Sequence, residues 1–455
     1  MNQNFLTLIV FILAFGGMVV IHEFGHYIVA RWSKIDVEEF GIGLPVPGAI
    51  TYWIGRGYLL LKGGKRLEIP ANFRLPVNWN QQVNARVRIS AQQSGDRMIL
   101  RSIESLPADE SQQQGSYHPA MKAGSMRGDF EFTDVVSEVH PGTRFTLNWL
   151  LLGGFVRPKG ENDPSIPGGL AAANPWKRFA VLVAGPLMNL LGAVAIYSLI
   201  FARVGAPDTS RVLVTSVIVG SPAQAAGFRE GDIFVSGNGQ SIHSYDELSA
   251  LVNANEDKHV TFVVDRNGQQ VELIATPQFN KPESRVMIGV GLSVPFVRSN
   301  SVIETINLGA RFTYLNIRNL LSLPAQMIRG KLAPEESRLI GLKGIYDIIG
   351  QTVSHDVEAT SKPSAPATSK PSDQPVRTLE LIAGLSISLG IFNLFPFPAL
   401  DGGRIIFLLP ELIFRRRVPP RLENLIHGLG MTVLLLFMIY VNVMDFVNPI
   451  NVTVP

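Results

Sequence analysis

The 455-residue chain is 46% apolar and only 17% charged, with a mean hydropathy of +0.20, against about 25% charged residues in an ordinary soluble domain, so membrane-spanning runs have to be sought first. Forty Lys and Arg against 37 Asp and Glu leave a formal charge of +3, too balanced for a nucleic-acid-binding chain. There is no cysteine, which excludes disulfide frameworks, thiolate metal sites and a cysteine nucleophile and leaves His, Asp or Glu to hold any metal.

Uncharged runs cover Phe5–Ile21, Phe179–Ala202, Leu381–Leu400 and Gly428–Met444. A bilayer core needs about 20 helical residues, so these predict four transmembrane helices, within 1–30, 179–202, 379–400 and 428–446. The first run lacks a basic leader and a small-residue cleavage site and reads as a retained span rather than a signal peptide. Between the first two spans, 31–177 reads as a β-rich, membrane-associated region. Alternation is clear near Gln82–Ile103, and Arg144–Val156 (RFTLNWLLLGGFV) is apolar, strand-like and too short to span. It suits an edge strand or a hairpin dipping into the bilayer over 144–157, which needs protein cover for its backbone; composition alone favours an ordinary buried strand.

Residues 208–297 predict a soluble α+β unit, 302–352 an amphipathic helical region at the membrane interface, and the Ser/Pro/Ala-rich 358–375 a disordered linker. Lys and Arg cluster after the first span (Arg31, Lys34), before the second (Lys177, Arg178) and between the third and fourth (Arg404, Arg415, Arg416, Arg417, Arg421). With alternating spans, these clusters mark one side as cytoplasmic, which puts both termini and the soluble unit outside.

The strongest chemical signal is HEFGH at 22–26, at the end of the first apolar run. On a helix, His22 and His26 share a face and can reach one zinc ion, with Glu23 beside them. Ionisable groups at membrane depth are functional by default. A catalytic zinc takes three protein ligands and keeps one position for water. The downstream candidate is Asp401, which closes the run NLFPFPALDGG at 393–403; a helix-end or turn aspartate preceding two glycines is the plain alternative.

Together these motifs resemble the site-2 protease family of intramembrane zinc metalloproteases, and within it the bacterial regulator-of-sigma-E protease type. HEFGH matches the family's HExxH, NLFPFPALDGG its NxxPxxxLDG signature, AGPLMN at 184–189 its second-span motif, and GGFVRPKGENDP at 153–164 its membrane-reentrant β-loop; GSPAQAAGFREGDIFVSGNGQSI makes 208–297 similar to a PDZ domain. The resemblance implies a polytopic α-helical protein of the bacterial cell membrane, with four transmembrane helices, a membrane-associated β-hairpin or sheet and one inserted extracytoplasmic PDZ-like domain, where the enterobacterial form carries two. It implies one zinc ion on His22, His26 and Asp401, with Glu23 as general base. Asn393 would hold the substrate backbone, a position that equally suits a polar helix–helix contact. Gly154 and Phe155 would belong to the edge strand that receives unwound substrate. Asn189 reads as packing between helices and stays outside the site. The implied substrates are single-span membrane proteins pre-trimmed by a site-1-type protease, such as an anti-sigma factor, or remnant signal peptides. The rival readings are a non-catalytic membrane scaffold presenting its PDZ-like unit and a zinc transporter. The collection of ionisable residues at one depth, without an internal repeat, speaks against transport.

Overall fold

The computed structural model describes residues 3–75, 83–95, 97–106, 129–161, 163–208, 210–280, 285–297, 301–329, 340–361 and 375–448. The chain divides into two compact units, one made of 8–192 and 388–443, the other of 193–387 with short segments from both chain ends.

The first unit begins on α1 (Gln3–Trp32), a continuous helix that carries HEFGH in its last third. Nine strands follow in two groups. β1 (Val37–Ile42), β2 (Ile50–Ile54), β8 (Arg144–Leu147) and β9 (Gly154–Pro158) form a four-stranded sheet in the order β2-β8-β1-β9. β1 runs parallel to β8 and antiparallel to β9. The expected hairpin over 144–157 is therefore not a hairpin: β8 and β9 lie on opposite sides of β1. This placement leaves β9 at the sheet's edge. The connecting loop rests on α1, because Gly16 lets the Leu151 carbonyl approach so closely that a β-carbon would collide with it, and Gly153 (φ +117) sits beside Val19. Glu39 of β1 is 7% exposed and accepts from Thr146 Oγ1 and Arg144 at 3.0 Å and Arg157 at 3.3 Å, tying three strands together. An aromatic cluster of Tyr27, Phe40 and Phe145 (centroids 5.4–6.0 Å apart) fixes the sheet to α1.

Inserted between β2 and β8 is a closed five-stranded barrel of β3 (Gly57–Leu61), β4 (Arg66–Ile69), β5 (Arg86–Ser94), β6 (Arg97–Ser105) and β7 (Asp129–His140), in the cyclic order β3-β4-β6-β5-β7. The alternation read near Gln82–Ile103 is its cause: Val87, Ile89 and Ala91 point inward with Leu59, Leu67 and Leu100 while Arg86 and Arg88 face out. Its interior is filled by side chains. Where β7 meets α1's end, His140 Nδ1 lies 2.5 Å from Asp36 and Nε2 3.0 Å from Glu138, with Lys159 Nζ 3.8 Å from Asp36.

Helix α2 (Pro175–Val204) belongs to both units. In the second unit, α3 (Pro222–Ala226) and α4 (Tyr245–Ala254) pack on a sheet ordered Gln269–Ala275, Val260–Arg266, Ile233–Gly237, Val212–Val217, Val290–Ser293. Its core gathers Phe228, Phe234, Phe262 and Leu248. A glycine turn (Gly289, φ +84) leads from the short strand Arg285–Met287 into the edge strand Val290–Ser293. α5 (Val302–Ile328) packs Phe312 edge to face against Tyr197 and Phe201 of α2. α6 (Leu342–Ser361) has its N-terminus capped by the buried Asp445, which accepts from Gly341 and Gly344 amides at 2.8 and 3.0 Å. Of the expected linker over 358–375, residues 358–361 continue α6 and 362–374 lie outside the described residues.

α7 (Arg377–Asn393), α8 (Asp401–Phe414) and α9 (Pro420–Val447) complete the chain. Among the described residues three helices, α1, α2 and α9, are long and apolar enough to cross a membrane. The helix expected over 379–400 is 17 residues long and ends at Asn393, because Pro396 and Pro398 cannot continue it.

The His140 imidazole is held above its ordinary range: burial opposes the charged ring, and its hydrogen bonds with Asp36 and Glu138 outweigh that cost. A raised folded value means the stabilisation is complete below about pH 6.5, the unfolded value, and is lost as pH rises through the folded one. Thermal unfolding of the full chain should show that loss, and His140→Gln, which still faces Asp36, Glu138, Lys159 and Tyr58, should be flat over the same window.

Candidate active site

The helical spacing of HEFGH does what its periodicity requires. Both imidazoles leave α1 on one face, edge to face with centroids 4.8 Å apart. Their Nε2 atoms are 3.1 Å apart, and Asp401 Oδ2 lies 3.1 Å from His22 Nε2 and 3.4 Å from His26 Nε2. Among the described residues this is the one cluster of three or more His, Asp or Glu side chains arranged to hold a metal ion. His22 and His26 are 6% and 8% exposed. Two imidazoles and a carboxylate, buried and converging on one point, form a donor set that suits zinc. The trio opens on a cavity of about 300 Å³ lined also by Glu23, Val156, Glu161, Asn393 and Arg404.

Asp401 reaches this point through a bent connection. After α7 ends, Leu394–Leu400 folds back in turns, with Phe397 N–H donating to the Phe395 carbonyl at 2.7 Å and Ala399 at φ +82. Asp401 is thus the first residue of a new helix and not the last of an apolar one. The two glycines after it are required by packing: a β-carbon on Gly402 would meet the Leu394 and Phe395 carbonyls, and one on Gly403 the Phe397 carbonyl. Asn393, at the end of α7, lines the same cavity.

Glu23 faces the sheet. Its Oε2 accepts from the Val156 amide at 3.0 Å. Residues 154–156 of β9 pair with 40–42 of β1 on one side only, so Gly154 and Phe155 lie on an edge strand beside the cavity. Gly154 presses on Val20 of α1, and the Phe155 ring covers Gly41.

Several residues outside the expected set hold this geometry. The Asn189 carboxamide nitrogen is 3.2 Å from His22 Nδ1, and Asn189 is fully buried. An imidazole that ligates through Nε2 keeps its proton on Nδ1, so the amide presents its oxygen there after a half-turn of its terminal torsion. His26 is oriented the same way, its Nδ1 donating to the Val181 carbonyl at 2.7 Å. A β-carbon on Gly185 would run into both imidazoles, and one on Gly25 into the Ala184 backbone. These contacts explain AGPLMN: Gly185 makes room for the histidines and Asn189 orients one. Reading Asn189 as packing between helices missed this, although the motif itself was visible. His427 of α9 accepts the Ala399 amide at 3.0 Å on Nδ1, and Arg404 pairs with Glu161.

The profile of Peptidase family M50 matches residues 10–57 and 132–437. The chain belongs to Peptidase family M50. It is a zinc metalloprotease acting within membranes. The zinc metalloprotease RasP of Oceanobacillus iheyensis is 26% identical over 454 residues, covering 96% of this chain and 97% of its own. The regulator of sigma-W protease RasP of Bacillus subtilis is 25% identical over 452 residues, with the same coverage of 96% and 97%. Among solved structures, a PDZ domain of an SdrC-like protein from Listeria monocytogenes is 20% identical over 18% of this chain and 85% of that chain, at a TM-score of 0.17, a value that carries no conclusion. The M50 profile leaves 58–131 unmatched, the stretch that holds most of the barrel.

Replacing the residue behind a metal ligand costs about 10–100-fold in metal affinity. Asn189→Ala should therefore release zinc to a chelator at a concentration at least tenfold lower than the wild type does, with the unfolding midpoint in excess zinc unchanged.

Proposed function

We propose that His22, His26 and Asp401 hold one zinc ion, that Glu23 is the general base, and that β9 receives the substrate as an added strand. The convergence of three donors from the two ends of the chain beside a carboxylate carries this reading. When bound, zinc supplies a Lewis acid that acidifies water and polarises a carbonyl. Glu23 takes the proton from the attacking water and returns it to the leaving nitrogen, so that one C–O bond forms as the peptide C–N bond breaks. His22 and His26 are kept in one tautomer by their Nδ1 partners and need no rearrangement during turnover.

A substrate helix hides its carbonyls in its own hydrogen bonds, so it has to unwind before cleavage. The open edge of β9 offers backbone partners for the extended segment, which is β-augmentation. Asn393, which lines the same cavity, is suited to hold the substrate backbone there. Because the Val156 amide faces Glu23, an added strand would run directly past the base.

The same reading extends to topology and partners. α7 with the turns that follow it would form a fourth span, and the sheet's loop along α1 would be the reentrant element. The basic clusters put the site near the cytoplasmic face of a bacterial cell membrane and residues 208–297 outside, as a single PDZ-like domain. Its groove, about 280 Å³ between α4 and Val290–Ser293, would gate access or read chain ends. Suitable substrates are single-span membrane proteins already trimmed by a site-1-type protease, or signal-peptide remnants. One relative's name, regulator of sigma-W protease, favours the first. A scaffold without catalysis would leave the donor convergence and the Glu23 contact without a role.

Glu23→Gln should retain zinc at wild-type stoichiometry and lose cleavage of a single-span reporter by at least a thousandfold; full activity would remove Glu23 from the mechanism. Asp401→Ala should fall below half the wild-type zinc content on purification. Val156→Pro, which deletes the amide facing Glu23, should keep zinc and cut turnover by more than tenfold, read as product appearance at saturating substrate.

A further inference from the structure

Most of the barrel lies in the stretch that the M50 profile leaves unmatched, and where it joins the segment after α1 there is a second cavity of about 320 Å³, separate from the candidate active site. Four arginines line it, each from a different segment: Arg31 at the end of α1, Arg56 between β2 and β3, Arg66 on β4 and Arg97 on β6. Two carboxylates share the lining, and both are already matched. Glu68 pairs with Arg97 at 3.7 Å, and Asp36 with His140 at 2.5 Å and Lys159 at 3.8 Å. Arg31, Arg56 and Arg66 have no carboxylate within 4.0 Å among the described residues, so three guanidinium groups face one space with their charge unmet.

One wall is built in advance. The Arg66 guanidinium lies 4.0 Å above the Tyr58 ring, and Tyr58 stacks on His140 at 4.2 Å and 14°. His140 is anchored by Asp36 and Glu138, so Arg66 is held rather than free to collapse onto a distant acid. Planar, pre-oriented guanidinium groups are the donors that match phosphate oxygens. Arg31 follows His26 by five residues, about 7.5 Å along the helix, which sets the cavity at the end of a span. Bulky aromatics on the same elements are open to the surroundings: Trp32 beside Arg31 is 80% exposed, and Tyr52 and Trp53 of β2, just before Arg56, are 55% and 45% exposed. Exposed Trp and Tyr at a span's end mark the headgroup layer.

We propose that this cavity binds the phosphate of an anionic membrane lipid headgroup through Arg31, Arg56 and Arg66. The barrel's mouth then seats on the membrane surface at the end of α1.

The test uses the full-length protein, stripped of lipid in a nonionic detergent and titrated separately with phosphatidylglycerol, phosphatidylcholine and inorganic phosphate, with retention read by native mass spectrometry. Near an anionic lipid surface each arginine is worth about fivefold, so the triple variant Arg31→Gln, Arg56→Gln, Arg66→Gln should bind phosphatidylglycerol on the order of a hundredfold more weakly. Arg56→Gln alone, in an exposed connection, should lose about fivefold and guards against a triple variant that does not fold. The pair Arg88→Gln, Arg101→Gln, on the same barrel but outside the cavity, should bind as the wild type does. Three results would overturn the proposal: equal retention of phosphatidylglycerol and phosphatidylcholine by the wild type, an equal loss in the control pair, or inorganic phosphate binding as tightly as the lipid, which would make the ligand a free anion.

Discussion

Three polar side chains meet at one buried point inside a largely apolar bundle, and several glycines of this sequence serve that meeting. His22 and His26 come from the same helix face, while Asp401 arrives from 379 residues beyond His22. An uncompensated imidazolium or carboxylate in such surroundings is costly; the Asp401 carboxylate set between the two imidazoles offsets part of that cost. The helices can only bring them together by backbone contact. Gly25 lies against the Ala184 backbone, Gly185 under the two imidazoles, Gly402 and Gly403 on the turn before α8, and Gly430 of α9 against Pro398. Each is a place where a methyl group would push the donors apart.

The second constraint is that Glu23 and the open edge of the sheet share a hydrogen bond. Val156 turns its amide away from β1 and toward Glu23, so the strand's register and the carboxylate's position are set together. β9 keeps its outer edge open because β8 occupies β1's other side. An exposed strand edge is a liability that proteins usually cover; here it borders the cavity, and Val156 on it already bonds Glu23. The close approach of Gly154 to Val20 explains why a glycine, and no bulkier strand-former, occupies that position.

What could be read from the residues alone was local. HEFGH sits on one helix, so the i, i+4 rule places both histidines without tertiary information, and the alternation of Val87, Ile89 and Ala91 gives a strand with one buried face. The arginines used to orient the spans were legible as charges but not as partners: Arg404 pairs with Glu161, and Arg178 with Glu411 at 2.7 Å. What depends on long-range pairing was hidden. Two apolar stretches separated by a glycine-rich turn look like a hairpin, and nothing in 144–157 says that β1, a hundred residues earlier in the chain, inserts between them. Asn189 on an apolar helix has the same composition signal whether it glues helices or orients a histidine. The closure of the barrel, with its parallel β4–β6 contact, is equally non-local.

The barrel's attachment gives the insertion a physical reason to matter for the site. Asp36, in the connection from α1 to β1, donates its amide to the Gly168 carbonyl, accepts the Lys159 amide on its own carbonyl and grips His140 of β7 with its side chain. Lys159 in turn donates to the Val139 carbonyl at 2.5 Å. One residue therefore joins the first helix, the last barrel strand and the loop that follows β9. That loop carries Glu161, which pairs with Arg404 one turn after Asp401. Packed, hydrogen-bonded segments transmit displacement because they cannot deform continuously. A headgroup seated against Tyr58 and His140 would bear on the element that sets where β9 ends and how α8 presents its carboxylate. Contact continuity of this kind is a route for coupling and not a measure of it, but it explains why a barrel with a filled interior is joined to the enzyme at its charged mouth and not through its sides.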